Sequence, residues 1–217
     1  MAEDPTFHVE ADGDWRDLID GHLLLRKLSV EEMNNNVYLL VCTHTQDALL
    51  VDVAARPERL AQAHEGFNVV AAVQTHGHWD HVRAWDDVRD GQGIEVWGHA
   101  GDAPLFPRQV DRELGDGDII EVGDLRVEVI HVPGHTDGSL LYLVEGEERP
   151  HLISGDTLFP GGHGRTTTPE DHERIMDGLE ALFDRLPDET AVHPGHGDDT
   201  TIGVERPHLA EWRERGW

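Results

Sequence analysis

The amino-acid sequence predicts an α/β protein in which two β-sheets pack face to face and helices cover their outer faces. Short apolar runs alternate with turn residues along all 217 residues. In each half of the chain, at about 20–110 and 115–217, strand patterns come before a helical pattern, which favours a layered architecture. No low-complexity linker separates the halves, and a chain of this length can bury one substantial core. We therefore expect one domain over residues 1–217.

The strands and helices can be placed in order along the chain. Apolar, β-branched runs bounded by turn residues predict nine strands, at 22–28, 37–42, 48–53, 69–74, 94–97, 118–122, 125–132, 139–144 and 152–154. The pair Gly123-Asp124 predicts a tight hairpin between two of them. Helical periodicity behind a first-turn proline predicts helices at 57–65 and 169–185, and a short helix is expected near 207–215.

The charge balance excludes some classes of partner. The chain has 44 acidic and 17 basic residues, for a formal net charge of −27, and Lys27 is its only lysine. Because there is no basic patch to meet phosphates, we expect neither nucleic acid nor an anionic membrane as a partner. A dispersed acidic excess with almost no lysine resembles proteins of salt-accumulating halophiles, in which salt screens the self-repulsion. An ordinary acidic enzyme is the alternative.

Cysteine content and the N-terminal residues indicate a cellular setting. The single cysteine, Cys42, lies in an apolar run and is interpreted as a small core residue. One cysteine excludes an internal disulfide, which fits a reducing compartment. Residues 1–5 lack the basic and apolar segments of a signal peptide, and no apolar run approaches the ~18 residues of a membrane span. We therefore expect a cytoplasmic protein.

The most informative motif is the segment 75–81, which reads Thr-His-Gly-His-Trp-Asp-His and directly follows the predicted strand 69–74. Its candidate ligands are His76, His78, Asp80 and His81. Imidazole and carboxylate groups are good ligands for zinc, iron and manganese. Strand ends are also where α/β proteins place their binding sites. The motif therefore predicts a metal site rather than a surface histidine cluster.

Three further turns place a histidine or an acid after an apolar run. His135 lies in a Pro-Gly turn, which taken alone is more typical of a turn residue than of a ligand. Asp156 follows the buried strand pattern 152–154, where a carboxylate must be paired, bound to metal, or used as a cap. A third turn, at 193–198, contains His193 and His196. The residues alone leave these roles open.

A glycine-rich segment at 161–166 contains a possible substrate contact. Arg165 could bind an anionic group of a substrate, or it could form a salt bridge near a helix. His163, in the same segment, is interpreted as an exposed loop residue and not as a ligand.

In combination, the H-x-H-x-D-H motif, the Pro-Gly-His turns at 133–135 and 194–196, and the pair Gly155-Asp156 resemble the metallo-β-lactamase-fold hydrolases. The phrases at 154–159 and 194–197 are most similar to the short glyoxalase II-like branch, and the resemblance extends from about residue 23 onward. It implies an α/β fold of the αββα four-layer sandwich type, with the active site on the shared edge of the two sheets.

The resemblance also implies a ligand set for two metal ions. A first ion would be held by His76, His78 and His135, and a second by Asp80, His81 and His196, with Asp156 bridging both. It further implies that Asp52 supports the ligands from behind. His193 stays outside this set.

The function implied by the resemblance is hydrolysis of a hydroxyacyl thioester, a small-molecule substrate. Two divalent ions, zinc by preference with iron or manganese possible, would share a bridging hydroxide that attacks the thioester carbonyl. Asp80 would hold its ion and could accept the proton of the water. One alternative is an iron-dependent persulfide dioxygenase with Fe(II) on His76, His135 and Asp156. Another is a lactonase or other ester hydrolase, and a non-enzymatic metal-binding protein is disfavoured by the full ligand set.

Two departures from the family pattern leave the substrate open. Many members continue with a glycine pair or similar small residues after the motif, whereas this chain has Val-Arg-Ala-Trp at 82–85, so the family's local packing and pocket wall cannot be carried over. The helical C-terminal domain that binds glutathione in long glyoxalase II enzymes is not expected here. The thiol of the substrate is therefore not specified.

Overall fold

The computed structural model describes residues 8–216, and within this range seven strands form a first sheet in the order β1 to β7. The strands are β1 (Arg16–Asp20), β2 (Leu23–Val30), β3 (Asn35–Cys42), β4 (Asp47–Val51), β5 (Asn68–Val73), β6 (Val96–Gly98) and β7 (Arg112–Glu113). Strands β1 to β4 pair antiparallel, whereas β4 to β7 pair parallel. The parallel strands therefore all end at one edge of the sheet.

The second half of the described chain forms a six-stranded sheet in the order β15-β14-β11-β10-β9-β8. Its strands are β8 (Ile119–Val122), β9 (Leu125–His131), β10 (Leu140–Glu145), β11 (Pro150–Gly155), β14 (Ala191–Pro194) and β15 (Thr200–Thr201). A small hairpin, β12 (Leu158–Phe159) and β13 (Gly162–His163), follows β11. Strands β11 and β14 pair parallel, so their carboxyl ends also meet at one edge.

The helices cover the outer faces of both sheets. They are α1 (Pro57–Ala63), α2 (Pro169–Arg185), α3 (Ile202–Glu205) and α4 (Leu209–Arg215). Leu60 of α1 packs with Leu39 on the outer face of the first sheet, and Leu179 of α2 packs with Leu141 on the outer face of the second. A central core between the sheets joins residues of β2 to β5 with residues of β8 to β11. These layers are the αββα sandwich expected from the sequence.

Most of the predicted elements are confirmed, with small shifts at their ends. All nine predicted strands are present, and the helix 169–185 has the expected bounds. The helix predicted at 57–65 ends at Ala63, and the one at 207–215 begins as a 3₁₀ turn before α4. Strand β1 was not predicted, because its sequence Arg-Asp-Leu-Ile-Asp is polar and mostly exposed at the edge of the sheet.

None of the helices within residues 8–216 is long and apolar enough to cross a membrane. Residues 1–5, on which the expectation about a signal peptide depends, lie outside the described range. Cys42 is buried and unpaired in the central core, as expected for a small core residue.

Candidate metal centre

The candidate ligands lie in four loops that each follow the carboxyl end of a strand. The motif loop follows β5, the loop with His135 follows β9, Asp156 follows β11, and His196 follows β14. Because β4 and β5 pair parallel in one sheet and β11 and β14 in the other, these loops meet along one edge of the sandwich. The topology thus brings together residues that are up to 120 positions apart in sequence, from His76 to His196.

A first group consists of three histidines whose ring nitrogens face one another. His78 Nδ1 lies 3.1 Å from His76 Nε2 and 2.9 Å from His135 Nε2. His76 is almost completely buried, and the other two are half-buried. Three nitrogen donors in this arrangement can hold one divalent ion.

A second group combines two histidines with a carboxylate. His81 Nε2 lies 3.1 Å from His196 Nε2. Asp80 Oδ2 lies 3.4 Å from His196 Nε2 and 3.7 Å from His81 Nε2. These three atoms can hold a second divalent ion next to the first group.

Asp156 lies between the two groups. Its Oδ2 is 3.6 Å from His135 Nε2 and 3.5 Å from His196 Nε2, and its Oδ1 is 3.5 Å from His81 Nε2. Oδ1 is buried and has no hydrogen-bond partner in the protein. A buried carboxylate oxygen without a partner is costly unless a cation binds it. The donor set therefore fits two divalent ions with Asp156 facing both.

Asp52 supports both groups from behind. Its Oδ1 accepts a hydrogen bond from the backbone N–H of Thr75 at 2.7 Å, and its Oδ2 accepts from the Thr75 hydroxyl at 2.8 Å. That hydroxyl lies 3.0 Å from His76 Nδ1, and Asp52 Oδ2 also accepts from His81 Nδ1 at 2.8 Å. One carboxylate therefore orients a histidine in each group so that Nε2 faces the centre, as the sequence suggested for Asp52.

The remaining ligands are held by main-chain oxygens or by an amide. His135 Nδ1 donates to the carbonyl of Arg165, and His196 Nδ1 donates to the carbonyl of Met33, each at 2.8 Å. The amide of Asn35 donates to Asp80 Oδ2 at 2.9 Å. The two histidine bonds turn the opposite ring nitrogens, Nε2 of His135 and of His196, toward the centre.

Asp102 is a supporting residue that the sequence did not reveal. It is completely buried, and its carboxylate accepts from the backbone N–H groups of Gly77 and Gly138, each at 2.7 Å. It also accepts from the Thr136 hydroxyl at 2.8 Å. Asp102 thereby joins the motif loop to the loop of His135. Its partners are distant in sequence, so no local pattern marks it.

The protonation behaviour of the two groups differs. Burial holds the pKa of His76 well below its usual range, and the neighbouring histidines lower it further. Burial and the nearby His135 also lower the pKa of His78. Burial lowers the pKa of His196 as well, but hydrogen bonds with Asp156 and Asp80 outweigh it and raise the pKa to about 10.

The carboxylates and His81 complete this picture. Burial alone would raise the pKa of Asp80, but hydrogen bonds from His196 and Asn35 lower it. The pKa of Asp156 is lowered in the same way, against burial, by His196 and His81. Burial alone would lower the pKa of His81, but the contact with Asp52 outweighs burial and raises it. The centre therefore offers ionised oxygens to a cation.

Three residues singled out in the sequence lie outside both groups, and one expectation is corrected. His163 is half-buried in β13 and donates from Nδ1 to the carbonyl of Gly164, so it is not the exposed loop residue that was expected. The side chain of Arg165 is exposed, while its carbonyl holds His135. His193 is buried away from the ligands, where it bonds Asp199.

The segment 82–85 directly follows the motif loop. Val82, Ala84 and Trp85 are buried in the core on the outer face of the first sheet. Arg83 instead faces outward, forms an ion pair with Glu31, and lies 5.1 Å from the ring of Trp79. The departure from the family pattern thus places a charged side chain beside Trp79 of the motif loop.

Comparison with known proteins identifies the family of this fold and site. The model of the metallo-beta-lactamase superfamily matches residues 30–196. The chain belongs to the metallo-beta-lactamase superfamily. This chain is 32% identical to the hydroxyacylglutathione hydrolase GloC of Haemophilus influenzae over 188 residues, which cover 77% of this chain and 88% of that relative.

Solved structures of the superfamily agree with this assignment. The BLEG-1 B3 metallo-beta-lactamase superposes with a TM-score of 0.74 at 29% identity, covering 85% of this chain and 97% of that chain. The structure of TTHA1623 in a di-iron-bound form gives a TM-score of 0.67 at 28% identity, covering 83% and 96% of the two chains. The metallo-beta-lactamase fold and a cluster of histidines and aspartates suited to divalent metal are thus established for this chain.

Proposed function

We propose that this protein is a two-metal hydrolase of hydroxyacyl thioesters, with zinc as the preferred ion. The observation that carries the proposal is the position of Asp156, whose unpartnered Oδ1 and whose Oδ2 face both ligand groups at once. Similarity to the hydroxyacylglutathione hydrolase of Haemophilus influenzae supports the thioester, and the di-iron form of TTHA1623 supports two ions.

The reaction needs a nucleophile, a polarised carbonyl and a leaving group. Two bound divalent ions would supply the first two, by lowering the pKa of a shared water and by polarising the thioester carbonyl. Asp80 is ionised because its pKa is lowered by His196 and Asn35, against burial. It can therefore hold an ion in the second group and accept a hydrogen bond from the attacking water. The water gives one proton to Asp80, which passes it to solvent, and adds its oxygen to the acyl carbon. The C–S bond then breaks, so that the acyl group leaves as the carboxylic acid and the sulfur as a thiolate, which is a good leaving group without a strong acid.

Arg165 is proposed to bind an anionic part of the substrate. Its side chain is exposed, while its carbonyl is bonded to His135 of the first group. Because the net charge of the chain is −27, an anionic substrate needs a local cation beside the centre to offset the long-range repulsion. Arg165→Ala should therefore raise KM with little change in kcat, and an unchanged KM would exclude the contact.

Two alternatives of the same superfamily remain to be separated by experiment. A persulfide dioxygenase would need one iron on His76, His135 and Asp156, and it would leave the second group without a role. A lactonase or other ester hydrolase would use the same two ions on an oxygen ester. The convergence of Asp80, His81 and His196 favours a two-ion hydrolase over the single-iron enzyme.

The test is metal analysis of the purified chain, combined with assays of lactoyl-thioester cleavage, lactone cleavage and persulfide-dependent oxygen uptake. We expect two metal equivalents per chain and thioester cleavage. One iron with oxygen consumption would contradict the proposal, and lactone cleavage alone would change the substrate class. Asp80→Asn is the matched variant for the proposed role of Asp80 in these assays, because it keeps the shape of the side chain and removes its charge.

We further propose that the protein works in concentrated salt inside a reducing cytoplasm. The acidic excess is distributed over the whole sequence, and salt would screen its repulsion. The buried free thiol of Cys42 is compatible with reducing conditions. The midpoint of thermal unfolding should rise steadily with added KCl toward molar concentration. A midpoint that stays constant would count against adaptation to salt.

A further inference from the structure

A second set of buried polar side chains lies between the two sheets, outside the seven candidate ligands. We call this set the buried polar chain, and its members are Lys27, Asp199, His193, His151 and Asp20. Their exposed fractions are 0% for Lys27, 1% for each histidine and 5% for each aspartate. Charged groups buried to this degree must be paired to be tolerated.

The members of the buried polar chain are joined by consecutive contacts. Lys27 Nζ donates to Asp199 Oδ1 at 2.6 Å, and His193 Nδ1 lies 2.5 Å from Asp199 Oδ2. His193 Nε2 lies 3.1 Å from His151 Nδ1, and His151 Nε2 lies 3.1 Å from Asp20 Oδ2. At the far end, Asp20 also accepts from backbone N–H groups of the turn between β10 and β11.

The charged contact of the buried polar chain lies at its Lys27 end, where Nζ and Asp199 Oδ1 are 2.6 Å apart. At the other end, burial and the neighbouring His193 lower the pKa of His151 to about 4, although the contact with Asp20 opposes this shift. His151 is therefore a neutral link between His193 and Asp20 at neutral pH.

Stability alone does not account for these buried charges. Side chains alternate between the two faces of β2, and Lys27 lies on the same face as Leu23 and Leu25, toward the central core. Burial lowers the pKa of Lys27, and Asp199 partly restores it. Replacing a buried ion pair with well-packed apolar residues is often neutral or even stabilising. An apolar side chain would therefore serve the core as well, which indicates another role for the only lysine of the chain.

The contacts of Lys27 lead to the loop that carries a candidate ligand. Lys27 Nζ donates to the carbonyl of Gly197 at 2.8 Å, directly after His196. His193 and Asp199 flank the turn 194–198 on its two sides. The turn passes very close to the centre, because a Cβ on Gly195 would lie 2.3 Å from Asp156 Oδ1. A small displacement of this turn therefore moves His196 relative to its partners.

We propose that Lys27 and Asp199 are positioning residues for the second ligand group: they fix the turn 194–198 from both ends and thereby place His196 Nε2. The inference rests on the two-ion centre proposed above. The first group is placed by different contacts, through Asp52 and Asp102, so its ion should not depend on Lys27. The role is one of positioning, since neither residue touches the reacting atoms.

The test uses the full-length double variant Lys27→Met/Asp199→Asn, which removes both partners of the buried ion pair together. Zinc binding to the metal-free protein is followed by calorimetry with a chelator-buffered titration. We expect the affinity for the second ion to fall about 10- to 100-fold, the usual cost of losing support behind a ligand, while the first ion binds as before. Excess zinc should restore kcat, which it would not do for a damaged core.

The matched control is Arg26→Met/Asp17→Asn. Arg26 is the neighbour of Lys27 on β2, faces the opposite side, and pairs with Asp17 through two bonds of 2.7 and 2.8 Å. The control therefore removes one positive charge from β2 and the negative charge paired with it on β1, without touching the turn 194–198. We expect it to bind both ions like the native chain.

If the double variant does not fold, Asp199→Glu decides, because it keeps the charge and shifts the carboxylate by one methylene. We expect a smaller loss of affinity for the second ion, in the same direction. A folded variant that binds both ions as tightly as the native chain would overturn the positioning role and leave the two-ion proposal intact. A native chain that binds only one equivalent of zinc would instead overturn the two-ion proposal itself.

Discussion

The two ligand groups of the centre are neighbours but differ in charge. The first consists of three imidazoles, and burial together with mutual repulsion keeps the pKa values of His76 and His78 low. The second contains Asp80 and lies against Asp156, and their hydrogen bonds raise the pKa of His196 to about 10 despite its burial. His76 and His78 are thus ready to bind a cation at neutral pH, whereas His196 must first release a proton.

The supports behind the groups differ as well. In the first group, buried Asp102 joins the motif loop, through Gly77, to the loop of His135, through Thr136. The second depends on the loop 31–36, where Met33 holds His196 and Asn35 holds Asp80, and on the turn 194–198. Among the supporting residues named above, Asp52 reaches both groups, through the Thr75 hydroxyl to His76 and directly to His81. From this comparison we expect a tight first site and a second site whose affinity depends more on its surroundings.

The largest expected effect comes from removing one ligand of either group. His76→Ala should abolish the first ion and His196→Ala the second, as metal analysis of each variant would show. Loss of an ion that contributes several kcal/mol to the transition state should lower kcat/KM by about 10³-fold or more. If each variant lost both ions equally, the two groups would be one cooperative site and the comparison would fail.

A smaller effect is expected from the supporting aspartates. Asp52→Asn would place an amide N–H₂ where the His81 ring and the Thr75 hydroxyl now donate, so both ions should bind about 10- to 100-fold more weakly. Asp102→Asn should weaken only the first ion, because its partners lie in the loops of His76 and His135. Separate affinities for the two ions, measured by titration of the metal-free variants, would distinguish the two outcomes.

The sequence marked the candidate ligands far more clearly than the residues that support them, for a physical reason. The segment 75–81 places four candidate ligands within one loop after a strand, and that density is visible without any tertiary information. His135 and Asp156 were ambiguous as single turn residues, and they became interpretable only through the order of motifs along the chain. The fold class followed in the same way, from runs of apolar residues that repeat locally.

The missed features share a different property. Asp102 bonds Gly77 and Gly138, and Lys27 bonds Asp199, so each depends on partners that the folded chain alone brings close. Strand β1 was missed because its edge position tolerates a polar sequence. Lys27 did leave one local signal, a charged residue at a core-facing position of β2, which could have indicated a buried partner.

The pH dependence of binding should also separate the groups. Below pH 10 the metal-free second group carries a proton on His196 that an incoming ion must displace, so affinity for the second ion should rise about tenfold per pH unit from neutrality toward that value. The lowered pKa values of His76 and His78 mean that the first ion displaces no proton from these two rings, so its affinity should rise less steeply with pH than that of the second ion. Calorimetry in buffers of different ionisation enthalpy would count the protons released with each ion. Equal release from both would contradict the difference.

The smallest expected effect concerns Arg83, at the place where this chain departs from the glycine pair of its family. Arg83 pairs with Glu31 and stacks on Trp79, and so it ties the loop that carries Met33 to the motif loop. Both contacts are partly exposed, and such contacts contribute about 0.5–1 kcal/mol each, so Arg83→Ala should weaken the second ion only a few-fold.

The matched control for that variant is Arg108→Ala, which removes an exposed arginine paired with Asp86 and Asp90, away from both ligand groups. It should leave both affinities unchanged. A weaker first ion in Arg83→Ala would mean that the rim supports the whole centre, which the separate hydrogen bonds of the two groups argue against. A selective effect on the second ion would show that this group responds even to exposed contacts at its edge, as expected for a site held by surface loops on one side and by a buried lysine on the other.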